Sequence, residues 1–114
     1  MPARDVPQVD PEEGRALLDH GALLLDVREP DEWSAGHPPD AVFVPMKEVQ
    51  ARQSELPKDG KIVTICRSGG RSAAVTEALN AWGFDSVNLA GGLQAWEAAG
   101  LPVVTDDGSP GTVA

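Results

Sequence analysis

Apolar residues along this chain come in short runs separated by polar stretches. The runs at 22–27 (Ala-Leu-Leu-Leu-Asp-Val) and 61–66 (Lys-Ile-Val-Thr-Ile-Cys) are nearly continuous rather than alternating. That is the pattern of strands covered on both faces of a parallel sheet. Shorter runs predict a first strand at 7–9, a third at 41–44 and a last at 86–89. Helix-like stretches fall between them. Asp10-Pro11-Glu12-Glu13 supplies an N-cap aspartate, proline at the first helical position and acid in the first turn, so a helix starts there and ends near His20-Gly21. Further helices are predicted over 30–35, over 46–56 as a polar, surface-lying one closed by Pro57, over 72–82 and over 93–99.

Strands alternating with helices imply an α/β fold, a central, mostly parallel five-stranded sheet flanked by helices on both faces. From Thr105 onward the chain is Asp, Gly, Ser and Pro without periodicity. The organisation expected is therefore one domain over 1–104 and a flexible C-terminal tail over 105–114.

Composition narrows the partners. A chain of 114 residues builds one core, so a partner domain is expected to be another chain. Nine basic against eighteen acidic residues give a net charge of -9, which argues against nucleic acid or an anionic membrane surface as partner. An anionic substrate must then rely on local positive charge. There is no run of roughly 18 to 20 apolar residues for a membrane span, and Met1-Pro-Ala-Arg-Asp5 lacks the apolar core of a secretory leader, so the expected location is cytoplasmic. A single cysteine, Cys66, excludes an internal disulfide and leaves no resolving thiol. With only His20 and His37 beside it, no metal ligand set forms, and no cofactor is implied.

Cys66 itself is the candidate nucleophile. It stands where the strand run ends and Arg67-Ser68-Gly69-Gly70-Arg71-Ser72 begins, a strand-to-helix crossing. In open parallel sheets ligands bind outside the carboxyl ends of the strands, near the reversal of winding, and Asp26, Val27, Arg28 and the loop after Leu89 end at that same edge. Amides of Arg67, Ser68, Gly69, Gly70 and Arg71 pointing inward, together with the positive end of the following helix, would hold a thiolate or an oxyanion. Two arginines add full charge, and such surroundings favour the nucleophilic thiolate. Gly69 and Gly70 fit a loop whose backbone angles a Cβ would resist.

Plainer readings exist for each residue. A lone strand-end cysteine is commonly a small buried hydrophobe, though a core cysteine needs no amide cradle. Arg71 has a second reading as a structural partner of Asp26 or another carboxylate. Asp26 and Arg28 read as strand-end residues that fix loops, and His37, beside prolines, as a loop-fixing hydrogen-bond donor rather than a general base. Trp33, Trp82 and Trp96 read as packing residues on helices.

Three blocks in order carry a resemblance: Leu24-Leu-Asp-Val-Arg-Glu-Pro-Asp-Glu-Trp33 with Gly36-His37-Pro38; Cys66-Arg-Ser-Gly-Gly-Arg-Ser72; and Val87-Asn-Leu-Ala-Gly-Gly-Leu-Gln-Ala-Trp96. Over residues 5–104 the chain resembles the single-domain rhodaneses, thiosulfate:acceptor sulfurtransferases. The resemblance implies a rhodanese-like fold and a Cys66 that takes sulfane sulfur from thiosulfate as a persulfide and yields it to cyanide or a thiol. It implies substrate binding by Arg67, Ser68, Gly69, Gly70, Arg71 and Ser72, and neither metal nor cofactor. One departure is Pro38-Pro39-Asp40-Ala41, where the family usually has an apolar residue and then Pro-Gly-Ala; that loop should be stiffer.

Two other functions share these residues. One is a persulfide carrier module in a sulfur relay, fed by a partner protein such as a cysteine desulfurase. The other is a phosphatase or arsenate reductase of the same fold, but those carry one more residue between cysteine and arginine. Here only residues 67–70 intervene.

Overall fold

A computed structural model describes residues 5–114. The chain runs β1 (Gln8–Val9), α1 (Pro11–Asp19), β2 (Leu23–Asp26), α2 (Pro30–Ala35), β3 (Val42–Phe43), β4 (Lys61–Ile65), α3 (Gly70–Ala81), β5 (Asp85–Leu89) and α4 (Gly92–Ala98). The strands form one sheet in the order β1-β5-β4-β2-β3, every pair parallel. The sheet is thus the α/β architecture expected, with parallel pairing throughout. Chain leaving β2 moves out to edge strand β3, whereas chain leaving β4 moves the other way to β5. A crevice opens between the carboxyl ends of β2 and β4 as a result.

Side chains divide between two cores with the period of two that a strand imposes. Leu25, Val27, Ile62 and Cys66 pack with Val75, Leu79 and Phe84 on the α3 face. Leu24, Val63, Ile65, Val87 and Leu89 pack with Leu93 and Trp96 on the face covered by α1 and α4. The first helix is capped as the sequence predicts: the Asp10 carboxylate accepts from the Glu13 amide at 2.8 Å and Glu13 accepts from the Asp10 amide at 3.1 Å.

Two segments differ from the sequence expectation. Residues 46–56 form no continuous helix but two 3₁₀ turns, Met46–Glu48 and Gln53–Glu55. Only Val49 and Leu56 are buried among these residues, so two anchors seven positions apart fix the segment, and Arg52 ties the turns by bonding Glu48 and Glu55. The second difference is the tail expected to be flexible. Val104 bridges His37 on one side and Pro110 on the other. Beyond it the Gly111 amide donates to the Val103 carbonyl and the Thr112 amide to the Ala35 carbonyl, both at 2.9 Å. Val113 packs on the α4-side core. Aperiodic sequence hid these contacts because they are made through backbone groups, and because Gly36 lets the strand approach. A Cβ on Gly36 would sit 2.5 Å from the Thr112 carbonyl oxygen. Residues 1–4, part of the leader argument above, lie outside the described residues.

Candidate active site

Strand β4 delivers Cys66 to the crevice. Thr64 and Cys66, two residues apart, both face α3; only 1% of Cys66 is exposed. The chain then turns through Gly69, whose φ of +105° is left-handed and disfavours a Cβ, and Gly69 becomes the N-cap of α3. This turn aims three donors at the Cys66 Sγ: the Gly69 amide at 3.1 Å, the Ser72 amide at 3.4 Å and the Ser72 hydroxyl at 3.3 Å. Ser72 is in the first helical turn, where amides lack an intrahelical partner, and Sγ supplies one.

The cradle is narrower than the sequence predicts. Among the described residues the amides of Arg67, Ser68, Gly70 and Arg71 make no hydrogen bond to Sγ. Gly70 is not in the left-handed region, and a Cβ there would meet nothing within 4 Å. Of the two adjacent glycines, only Gly69 is required by the backbone.

Support for the loop comes from β5 and α4. Leu93 and Gln94 donate their amides to the carbonyls of Cys66 (2.7 Å) and Arg67 (3.0 Å), which anchors the start of the loop through its carbonyls. Asn88 donates to the Gly69 carbonyl at 3.1 Å. Thr64 donates to the Ser72 carbonyl at 3.1 Å and shares a 2.6 Å bond with the Thr76 hydroxyl. Asn88 and Gly92 were not singled out as site residues from sequence; the Gly91-Gly92 pair at a strand-to-helix turn was the available signal.

Charges are arranged in two layers. Beneath the crevice Asp26 and Arg28 form a fully buried pair, with Nη2 and Oδ2 at 2.8 Å, and Arg28 also donates to the Gly36 carbonyl at 2.7 Å and the Glu32 carbonyl at 3.3 Å. These two residues fix the α2 end, as their strand-end position suggests. Above them Arg71 is gripped by Glu32 through both Nη atoms, at 2.6 and 2.8 Å. The Arg71 hydrogen bond holds the Glu32 carboxyl down to about 2. In return Glu32, and after it the charge of Cys66 and Glu29, keeps the Arg71 guanidinium more firmly protonated than usual. The structural partner of Arg71 is therefore Glu32, not Asp26, and nothing in the 39-residue separation signals it. Arg67 and Ser68 are exposed, and Arg67 makes no ion pair among the described residues.

His37 stands away from this chemistry. Its ring stacks on Trp33, with centroids 3.6 Å apart, and its nitrogens lie 3.0 Å from the Pro38 carbonyl and 2.9 Å from Asp106. It fastens loop to tail. Trp96 is fully buried and donates to the Pro102 carbonyl at 2.8 Å.

A parallel α/β sheet with a cysteine held by amide and hydroxyl donors at the carboxyl end of its central strand belongs to the class of α/β domains that carry their site where the strands end. Within that class the chain belongs to the rhodanese-like domain family, whose sequence pattern matches residues 10–99. It is 45% identical to a sulfurtransferase of Allochromatium vinosum over 75% of this chain and 81% of the relative. It is 31% identical to the thiosulfate sulfurtransferase GlpE of Pseudomonas syringae over 78% of this chain and 85% of that one. A rhodanese-related protein of Thermoplasma volcanium shares its structure at a TM-score of 0.80 and 33% identity, covering 86% of this chain and 97% of the other.

Proposed function

We propose that this protein is a sulfurtransferase that carries sulfane sulfur on Cys66. The observation that carries the proposal is the set of three donors converging on the thiol of a lone cysteine. In the loading step the Cys66 thiolate attacks the outer sulfur of thiosulfate. A new sulfur–sulfur bond forms at Cys66, the sulfur–sulfur bond of thiosulfate breaks, and sulfite leaves with its electron pair. Cyanide or a thiol then attacks the outer persulfide sulfur; with cyanide, thiocyanate departs and the Cys66 thiolate is restored. Gly69 and Ser72 are placed to stabilise the anionic sulfur in both states. Arg67, Ser68 and Arg71 line the approach, and Gly70 contributes an open backbone edge.

Loop length favours this chemistry over phosphate ester cleavage: only residues 67–70 separate Cys66 from Arg71, one fewer than phosphatases of this fold use to cradle a tetrahedral oxyanion. No helix among the described residues is long and apolar enough to cross a membrane, and a reducing cytoplasm suits an enzyme that works through a free thiol.

Intact mass of the reduced protein after brief exposure to thiosulfate is the test, with Cys66→Ala beside it. A gain of one sulfur in the wild type alone, released as thiocyanate by cyanide, is the expected result. No gain would remove thiosulfate as donor and leave the carrier fed by a partner protein as the reading to test.

A further inference from the structure

We infer that Glu32 sets which sulfur donors Cys66 accepts, by cancelling the charge of Arg71 and so turning the site from dianionic thiosulfate towards hydropersulfides (R–S–SH). The inference rests on the sulfurtransferase reading above and concerns its donor class.

The geometry supports it from both sides of the crevice. Glu32 lies on α2, which follows β2; Arg71 lies in the first turn of α3, which follows β4. Both terminal nitrogens of the guanidinium are bonded to the two carboxylate oxygens, so the two full charges meet at the mouth of the site and largely annul each other there. Glu29 adds further negative charge near Arg71. Among the described residues, Arg67 is the cation beside Cys66 that no carboxylate engages.

The two donors place different demands on this arrangement. Thiosulfate brings two negative charges to a thiolate and releases sulfite with two, so loading gathers three negative charges in the crevice. A hydropersulfide brings at most one. The Cys66 thiolate attacks its terminal sulfur, the donor's sulfur–sulfur bond breaks, and the thiolate RS⁻ leaves with the electron pair while the proton stays on the new Cys66 persulfide. Charge is carried through unchanged and no oxidant or reductant is consumed. A site with one uncompensated arginine suits the second donor, and Glu32 is the residue that makes the difference. It acts through Arg71 and is a positioning residue.

Glu32→Gln tests this. The glutamine oxygen can still accept from the Glu29 amide, as Glu32 does at 3.0 Å, so the α2 start is retained while the charge is lost. Sulfur loading is measured with thiosulfate and with cysteine hydropersulfide as donors. Wild type is expected to have the higher kcat/KM for the hydropersulfide. In Glu32→Gln the thiosulfate KM should fall about tenfold with kcat little changed, as expected when a net charge is restored to a binding site, and hydropersulfide loading should change less than twofold. Equal changes for both donors, or an unchanged thiosulfate KM, overturn the inference while leaving the sulfurtransferase reading intact. Absence of loading of wild type by either donor overturns both. Glu32→Asp keeps the charge and should keep the wild-type donor ratio; a shift like that of Glu32→Gln would assign the effect to geometry and overturn the charge argument. Should Glu32→Gln melt below assay temperature, Arg71→Gln carries the test from the other side: the thiosulfate KM is expected to rise about tenfold and the ratio of thiosulfate to hydropersulfide loading to fall with it, and an unchanged ratio overturns the inference.

Discussion

Gly92 rests directly on the backbone of Cys66: a Cβ at Gly92 would fall 2.5 Å from the Cys66 carbonyl oxygen and 2.6 Å from the Arg67 carbonyl carbon. Its φ of +61° is left-handed as well. The first turn of α4 can therefore reach the two carbonyls only if this position has no side chain. Gly92→Ala should cost about 2–4 kcal/mol and lower sulfur loading by displacing the loop. Gly70→Ala, at an open position with ordinary backbone angles, should be neutral or stabilising by about 0.5 kcal/mol. Thermal melts and loading rates of the two variants would separate the glycine that shapes the site from its neighbour that does not.

Asp26 and Arg28 predict a large loss of stability. Both side chains are fully buried, and removal of one partner leaves a charge without water or counter-ion. Asp26→Asn should cost about 3–5 kcal/mol by chemical denaturation. A change below about 1 kcal/mol would show that the pair behaves like a surface one.

Ser72 predicts a loss of rate without loss of fold. Its hydroxyl lies 3.3 Å from Sγ, and a hydrogen bond to an anionic sulfur is stronger than one to a neutral group. Ser72→Ala should lower loading about tenfold, the equivalent of about 1.4 kcal/mol, with the melting temperature nearly unchanged. The amides of Gly69 and Ser72 remain to hold the sulfur, so activity should not vanish as is expected of Cys66→Ala.

The Glu32–Arg71 pair has a pH signature. Glu32 is held at about 2 by the Arg71 hydrogen bond, below its ordinary 4.5, so the folded state binds this proton less readily than the unfolded one. Its contribution to stability is full above about pH 4.5 and is lost as pH falls towards 2. Arg71 is about a third exposed, which limits the contribution to about 1 kcal/mol. The melting difference between wild type and Glu32→Gln should be constant from pH 8 to 5 and close between pH 4.5 and 2. A difference that persisted at pH 2 would mean the ionised carboxylate is not its source.

Deletion of residues 105–114 should lower the melting temperature by about 4 °C or more, the equivalent of about 1 kcal/mol for a domain of this size. It removes the Thr112–Ala35 and Gly111–Val103 backbone bonds and uncovers the core beneath Val113. Asp106→Ala, at a carboxylate 73% exposed, should change stability by no more than about 0.5 kcal/mol. An unchanged melt in the deletion would restore the expectation of a free tail.

How much of this was legible in the sequence follows from the range of the forces involved. Strands and helices were readable because burial on both sheet faces writes itself into local runs such as Leu23-Leu24-Leu25, and caps such as Asp10 act within four residues. The position of Cys66 at a strand end was readable from its place between run and turn. The donors to its sulfur were only partly so: Ser72 stands in the motif, but whether its amide points inward depends on where α3 begins, a matter of one dihedral angle at Gly69. Residues 46–56 misled because a polar stretch with apolar positions at a helical interval also suits two turns. Glu32 could not be assigned to Arg71 because their meeting depends on two crossover connections rather than on any local pattern.

Every strand in the sheet points the same way, and this separates the molecule into a working rim and a handling rim. Cys66, Arg71, Asp26 and the α4 start all lie where strands end. The turns that feed the strands, at Gly21 and Gly60, carry none of these groups, and a Cβ at either would meet nothing within 4 Å. A fluorophore, a surface tether or an inserted peptide placed at Gly60 would therefore sit at the far side of the sheet from the thiol, and the protein could be immobilised there with its sulfur chemistry facing solution.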